Sequence, residues 1–305
     1  MKEMGLIMNA DYFFENEEIR IGIASHGAEL VSLVRKDDGR EYMWSGDAAY
    51  WNRVSPVLFP FVGKLKNGSY TYQGREFSDI PQHGFARDSE FRMAEKSEDV
   101  IWFELQPDDG WRVSYPFEFL LRIGYRIEGS SVHVMWTVRN DSEEMMYFSI
   151  GAHPAFVCPD GADNEDVLKG YQLDLHTTEQ ELLSGELTSQ GTLLQEKRRF
   201  SLTDGKLALF SGMFAKDALI LDSQKIHTVS IVDPAGTEFL KVQFDTPQLG
   251  IWSPAGKNAP FVCIEPWFGR CDAEDFSGEL SEREYGNSLE PGHSFNKEYV
   301  IEVLV

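Results

Sequence analysis

Glu265 follows four residues of strong strand character, Phe261-Val262-Cys263-Ile264, and precedes Pro266-Trp267-Phe268-Gly269. In strand geometry its side chain shares a face with Phe261 and Cys263. Pro266 restrains Glu265 to extended backbone and is expected to end the strand. The segment therefore sets a carboxyl group at the end of a buried strand, beside aromatic surface. Burying an unpaired carboxylate is costly, and an apolar setting raises its pKa toward the range of a general base. A structural ion pair, or a strand-end carboxylate in water, accounts for the same residue equally. His153 lies in Ser149-Ile150-Gly151-Ala152-His153-Pro154-Ala155-Phe156, among small neighbours that leave room for a ligand. Imidazole can donate a proton near neutral pH; a core histidine bonded to a backbone carbonyl is the alternative.

Other polar side chains suit the recognition of hydroxyl groups. His83, in Pro81-Gln82-His83-Gly84-Phe85-Ala86-Arg87, sits in an expected loop before a glycine that permits close backbone approach. Arg53 and Lys64 flank the apolar run from Val54 to Val62; both could point at ligand oxygens or into solvent. Trp44, Trp51, Trp252 and Trp267 are candidate platforms for a sugar ring, or simple core residues. The chain carries no GxGxxG after a strand, P-loop, HExxH or GxSxG motif. Cys158, Cys263 and Cys271 form no CxxC pair, so neither a zinc site nor a disulfide framework is expected.

These residues need a β scaffold. Phe117, Phe119, Leu121, Ile123, Tyr125 and Ile127 alternate along one run, Val132, Val134, Trp136 and Val138 along the next, and Glu128-Gly129-Ser130-Ser131 turns between them. Similar runs occur at Val100–Leu105, His227–Val232, Phe239–Phe244 and Phe261–Ile264. Turn signals recur at Asp38-Gly39, Asn67-Gly68, Gln73-Gly74 and Pro234-Ala235-Gly236. Hairpins along the whole chain predict an all-β sandwich or barrel, and 305 residues without a linker predict one large domain, residues 1–305, with two extended sheets. Short helices are expected at Asp275–Arg283 and in part of Gly161–Lys169.

Charge narrows the partners. Asp and Glu number 50 against 28 Lys and Arg, a net charge of -22 that repels nucleic acid and anionic membrane surfaces. The N-terminal segment has only a brief apolar run before acidic residues, unlike a signal peptide, and no stretch has the ~20 apolar residues of a membrane helix. The expected compartment is the cytoplasm.

Taken in order, NRVSPVLFPFVGKLKNG, HGFAR, FSIGAHPAF, DALILDS, DTPQLGIWSP and CIEPWFG resemble the aldose 1-epimerase family, in particular its bacterial LacX-like branch. The resemblance spans Asn52 to Gly269 and implies a β-supersandwich of the galactose mutarotase type with one sugar-binding cleft. Carried over by position, it makes Glu265 the general base, His153 the general acid, His83 a sugar-binding histidine and Asp222 a carboxylate that holds sugar hydroxyls. It implies interconversion of the α and β anomers of a free hexose with no cofactor and no metal, by a monomer or homodimer. Two positions depart from the family: Lys64 stands where arginine is common, and Ala152 where galactose mutarotases carry asparagine. Lysine offers a point charge instead of a planar fork. A hexose-6-phosphate epimerase using Arg53, Lys64 and Arg87, a non-catalytic carbohydrate-binding protein, and a sugar lyase or hydrolase are the rival readings.

Overall fold

The structure is a computed structural model and describes residues 10–159, 165–223 and 225–304. The turn-separated runs become strands of two large antiparallel sheets. In spatial order the nine-stranded sheet contains Lys206–Ala208, Gln172–Asp174, Thr228–Val232, Glu238–Phe244, Ser294–Val303, Ser131–Asn140, Phe119–Glu128, Val100–Leu105 and Arg92–Lys96. The eight-stranded sheet runs Leu193–Ser201, Glu181–Leu187, Leu219–Asp222, Gln248–Trp252, Phe261–Phe268, Ile150–Ala152 and Val57–Leu58, with Ala155–Val157 also paired to Phe261–Phe268.

The expected central hairpin forms with Ser131 opposite Glu128, and Gly129, at a φ of 56°, turns the chain between them. The register sets Val134 opposite Tyr125, Trp136 opposite Ile123 and Val138 opposite Leu121, so both apolar sets face one way. Against them, from the other sheet, pack Leu219, Leu221, Leu249, Ile251, Val262, Ile264 and Phe268, all in one continuous core. Trp136 meets Phe268 across that interface at 6.4 Å between ring centroids. Burial of these alternating side chains, at about 25 cal/mol per Å² of apolar surface, is the main force holding the sheets together. The architecture is the all-β sandwich that the sequence pattern predicts.

Two local expectations are corrected, and a third lies partly outside the described residues. Of Asp275–Arg283 only Leu280–Glu282 is helical, a single 3-10 turn closed by a capping box between Glu279 and Glu282. In the Gly161–Lys169 stretch, residues 161–164 lie outside the described residues, and 165–169 form a bend and a turn. The one α-helix among the described residues is instead Asp109–Ser114, started by the Asp108 carboxylate, which accepts from Trp111 N at 2.9 Å. The second correction concerns Pro266: the Phe261 strand does not stop there but continues to Phe268. All three cysteines are free and buried. No helix among the described residues is long and apolar enough to cross a membrane.

Candidate active site

All eight residues of Phe261–Phe268 are buried, so both faces of this strand are covered. Val262, Ile264 and Phe268 belong to the core between the sheets. Phe261, Cys263, Glu265 and Trp267 point the opposite way, to the outer face of the eight-stranded sheet, as the period-two geometry requires. Glu265 is therefore a member of a second, smaller buried layer that also holds Trp51 and Trp252.

The continuation of the strand past Pro266 explains how Glu265 acquires a neighbour. On one side the strand pairs with Gln248–Trp252 without interruption. On the other side two short strands share the work: Ala155–Val157 pairs with Phe261–Cys263, and Ile150–Ala152 pairs with Trp267 and Phe268. Pro266, which has no N–H to donate, falls in the gap between them. The residues that bridge this gap are His153 and Pro154, and Pro154 O accepts from Ile264 N at 3.3 Å. The interruption that tolerates proline thus brings His153 beside Glu265, with His153 Nε2 3.3 Å from Glu265 Oε2.

Aromatic rings fix the imidazole. Trp51 stacks on it at 4.7 Å, Trp252 meets it edge-on at 5.3 Å and the His83 ring at 5.8 Å. His83 is itself clamped: its N–H donates to Gly63 O at 2.8 Å, and Gly63 N donates back to His83 Nδ1 at 3.1 Å. An accepting Nδ1 leaves the proton of the neutral ring on Nε2. Gly63 serves this clamp at a φ of +73°, and a Cβ there would meet Cys271 Cβ at 2.6 Å.

Glu265 is 1% and His153 8% exposed. Among the described residues, both carboxyl oxygens of Glu265 and Nδ1 of His153 have no hydrogen-bond partner. Burial, reinforced by the negative charge of Asp217, pushes the Glu265 carboxyl well above the ordinary range. Burial, with the charges of Arg87 and Arg53, pulls His153 down to about 3. His83 is held well below its ordinary value, first by burial and then by Arg87. Two neutral groups sharing one proton are the favoured state of such a pair in an apolar setting.

The pair opens onto a cavity of about 250 Å³ lined by Trp51, Trp252 and Trp267, by His83 and Gln82, and by Lys64, Arg87 and Asp217. An apolar aromatic wall with a few convergent polar groups is the usual form of a small-molecule site.

The model of the family described as aldose 1-epimerase matches residues 12–302. The chain belongs to the aldose 1-epimerase family. The chromosomal LacX protein of Lactococcus lactis subsp. lactis is 33% identical over 299 residues, covering 95% of this chain and 98% of that protein. A galactose mutarotase related enzyme of Lactobacillus acidophilus superposes with a TM-score of 0.89 at 33% identity, over 96% of this chain and 97% of that one. A galactose mutarotase-like protein of Lactobacillus casei gives 0.89 at 29% identity, over 96% and 99%. Membership in this family makes the chain a protein of the sugar epimerase or mutarotase kind.

Within this member of the family, Glu265, His153, His83 and Lys64 line one cavity. Asp222 does not join them. It lines a neighbouring cavity with Gln248 and Arg270, because its cross-strand row runs Asp222, Gln248, Trp267, whereas that of the base runs Ile220, Gly250, Glu265. The Trp267 indole leans over Gly250 and separates the two. The carboxylate on the cavity of Glu265 is Asp217, the first residue of the same DALILDS element, held at a φ of 73° before the strand begins. Strand register decides between the two aspartates, and a single sequence does not display register. Arg53 also stands outside the lining: its guanidinium donates to Asp88 at 2.7 Å, and Arg87 takes the place at the cavity. Trp44 packs on Phe261 at 4.5 Å and is a core residue, whereas Trp51, Trp252 and Trp267 line the cavity.

Two residue sets among the described ones could hold a metal ion by proximity of their ligand atoms, His153 with Cys263 and Glu265, and Asp174 with His176 and Glu238. In the first, burial raises the Cys263 thiol well above its ordinary value, so it keeps its proton and is a poor ligand.

Gly250 is required for space. A Cβ there would lie 2.4 Å from Trp267 Cζ2 and 3.1 Å from Glu265 Cβ. Gly250→Ala is expected to displace the indole and the base together, costing about 1–3 kcal/mol of stability and most of the activity. Thermal melts and near-ultraviolet circular dichroism check it; an unchanged Trp spectrum with full activity would refute the packing account.

Proposed function

We propose that the protein is an aldose 1-epimerase that interconverts the α and β anomers of a free hexose. The observation that carries this reading is the buried, unpartnered pair of Glu265 and His153, converging at 3.3 Å beside three tryptophans on one sugar-sized cavity. Pure binding needs no matched acid and base in that relation.

With the sugar's C1–O5 edge at the pair, the Glu265 carboxylate takes the proton of the C1 hydroxyl. The C1–O5 bond breaks as C1=O1 forms, and protonated His153 gives its proton to O5. Rotation about C1–C2 presents the other carbonyl face, and the same transfers in reverse close the ring. The pair holds one proton throughout: in the reactive form it is on His153 before opening, and it is on Glu265 after it. Burial raises the carboxyl and lowers the imidazole, so the resting pair keeps its proton on Glu265 and the form with a Glu265 carboxylate and a protonated His153, which starts ring opening, is the less populated and more reactive one. His83 Nε2–H, Gln82, Asp217, Lys64 and Arg87 supply donors and acceptors for the remaining hydroxyls. Polarimetry on freshly dissolved α-glucose and α-galactose tests the proposal. The decay of rotation should accelerate in proportion to protein concentration; a decay no faster than that of buffer would overturn it.

A further inference from the structure

Trp51 stacks on His153 from residues 51–55, a stretch without strand or helix. Val54 and Ser55 in this stretch are buried, so their backbone N–H groups need partners. Both donate to a single atom, Oε1 of Glu29, at 2.7 and 2.6 Å. Glu29 is itself only 8% exposed, and it does not line the cavity of the catalytic pair.

From residues 51–55 the bonding runs on to that pair. Val54 O accepts from Ala155 N at 2.9 Å, two residues beyond His153. Trp51 O accepts from Trp44 Nε1 at 2.9 Å, and Trp44 N donates to Ala155 O at 2.9 Å. The ring stacked on His153 and the strand that starts just after it are therefore set by one short stretch, and Glu29 fixes that stretch.

Glu29 stands on a firm support. It closes the hairpin between the strands Ile19–Ile23 and Leu30–Arg35: Ala24 N donates to Glu29 O at 2.9 Å, and Glu29 N donates to Ala24 O at 3.1 Å. At the tip Gly27, at a φ of +70°, donates to Ser89 O at 2.8 Å, and a Cβ there would meet Arg87 O at 3.1 Å. Phe91 N donates to Ser25 O at 2.9 Å, and the Tyr125 hydroxyl donates to Ala28 O at 2.6 Å. The tip of the hairpin thus grips the segment of Arg87, and its Glu29 side chain grips the segment of Trp51. Trp51 and Arg87 both line the cavity.

We infer that Glu29 is a positioning residue for the catalytic pair: by holding residues 51–55 it sets Trp51, and with it the imidazole of His153, against Glu265. This rests on the proposed reaction. Trp51, stacked at 4.7 Å, fixes the plane of the imidazole, and the 3.3 Å approach of Nε2 to Glu265 depends on that plane. A misplacement of about 1 Å in such an assembly can cost ~10²-fold in rate. The role demands reach of the side chain, not charge. Burial raises the Glu29 carboxyl above its ordinary value, against the two amide bonds that lower it, and Oε1 can accept in either protonation state. Glutamine keeps this acceptor at the same reach. Aspartate keeps the carboxyl but withdraws it by one carbon–carbon bond, roughly 1.5 Å.

Polarimetry with glucose and galactose on Glu29→Gln and Glu29→Asp, each assayed well below its melting temperature, tests the assignment. Both variants keep a polar side chain at the site, so the fold is expected to hold. Glu29→Asp should lower kcat about tenfold, a larger change than any rise in KM, and Glu29→Gln should keep kcat within about threefold of the unaltered protein. Unaltered kcat in both variants, even with a lowered melting temperature, would overturn the positioning role and leave Glu29 a purely structural residue. The reverse order, Glu29→Gln slow and Glu29→Asp intact, would overturn it as well, because charge and not reach would then be the active property. In both of these cases the unaltered protein still accelerates interconversion and the reaction stands. An unaltered protein that accelerates neither sugar overturns the reaction and the positioning role together.

Discussion

Glu265→Gln is expected to abolish the acceleration of anomer interconversion and to make the protein harder to unfold at neutral and alkaline pH. The amide keeps the shape of the side chain but cannot take the proton of the C1 hydroxyl, and a positioned proton transfer is worth ~10²–10⁴-fold. The gain in stability follows from the unpartnered burial of the carboxyl. Its pKa in the folded protein stands well above the ordinary 4.5. At any pH between the unfolded and folded values, the native state holds a proton that the unfolded state has released. Stability therefore falls as pH rises through that window, by up to about 1.4 kcal/mol per pH unit. The contribution is fully present below the unfolded pKa and lost once pH passes the folded one. Glutamine does not titrate, so its advantage should grow with pH across the same window and then level off. Denaturant unfolding of both proteins at several pH values reads this directly. A variant that loses stability in parallel with activity would show that Glu265 is a structural ion-pair residue.

His153→Ala should lower kcat by about 10²–10³-fold and raise KM far less, because Trp51, Trp252, His83 and Asp217 remain to hold the sugar. A loss confined to KM would reassign His153 to binding. The pH profile of the unaltered protein gives the complementary result. The catalytic form contains one proton on the pair. A second proton, added to His153, removes the base; this acid limb belongs near the imidazole's value of about 3. Loss of the last proton removes the acid, and this alkaline limb belongs at the raised value of the carboxyl. The two limbs are properties of the pair and not of either residue alone. A plateau extending well below pH 6 is expected, and an acid limb at an ordinary histidine value would contradict the burial account.

Much of this was legible in the residues. The Phe119–Asn140 hairpin follows from period-two alternation and a glycine turn, and its register pairs the side chains that the alternation put on one face. Glu265 and His153 are legible as types in unusual settings, an acid in an apolar run and a histidine among small residues. What the chain does not show is register between distant strands. Pro266 reads locally as a terminator; it is tolerated because two other strands leave a gap opposite it. Asp222 and Asp217 sit five residues apart in one element, and only the folded chain, which pairs Ile220 with Gly250 beside Glu265 and leaves Asp217 before the strand, shows which of them lines the cavity of the base. Arg53 and Arg87 divide in the same manner, since Asp88 lies within reach of Arg53 only in the folded chain.

The Phe261–Phe268 strand has a bearing on how such a protein can diversify. Its even-numbered side chains, Val262, Ile264 and Phe268, hold the two sheets together, and its odd-numbered ones, from Phe261 to Trp267, lie on the outer face, where Glu265 and Trp267 reach the cavity. The two sets meet separate packing demands although they alternate residue by residue. Point substitutions at Glu265 or Trp267 alter the cavity while the layer between the sheets stays intact. Inserting or deleting a single residue would exchange the sets, carrying Glu265 into the hydrocarbon interior and Ile264 into the cleft. The strand thus admits replacement at its cavity positions but not a change of length by one residue.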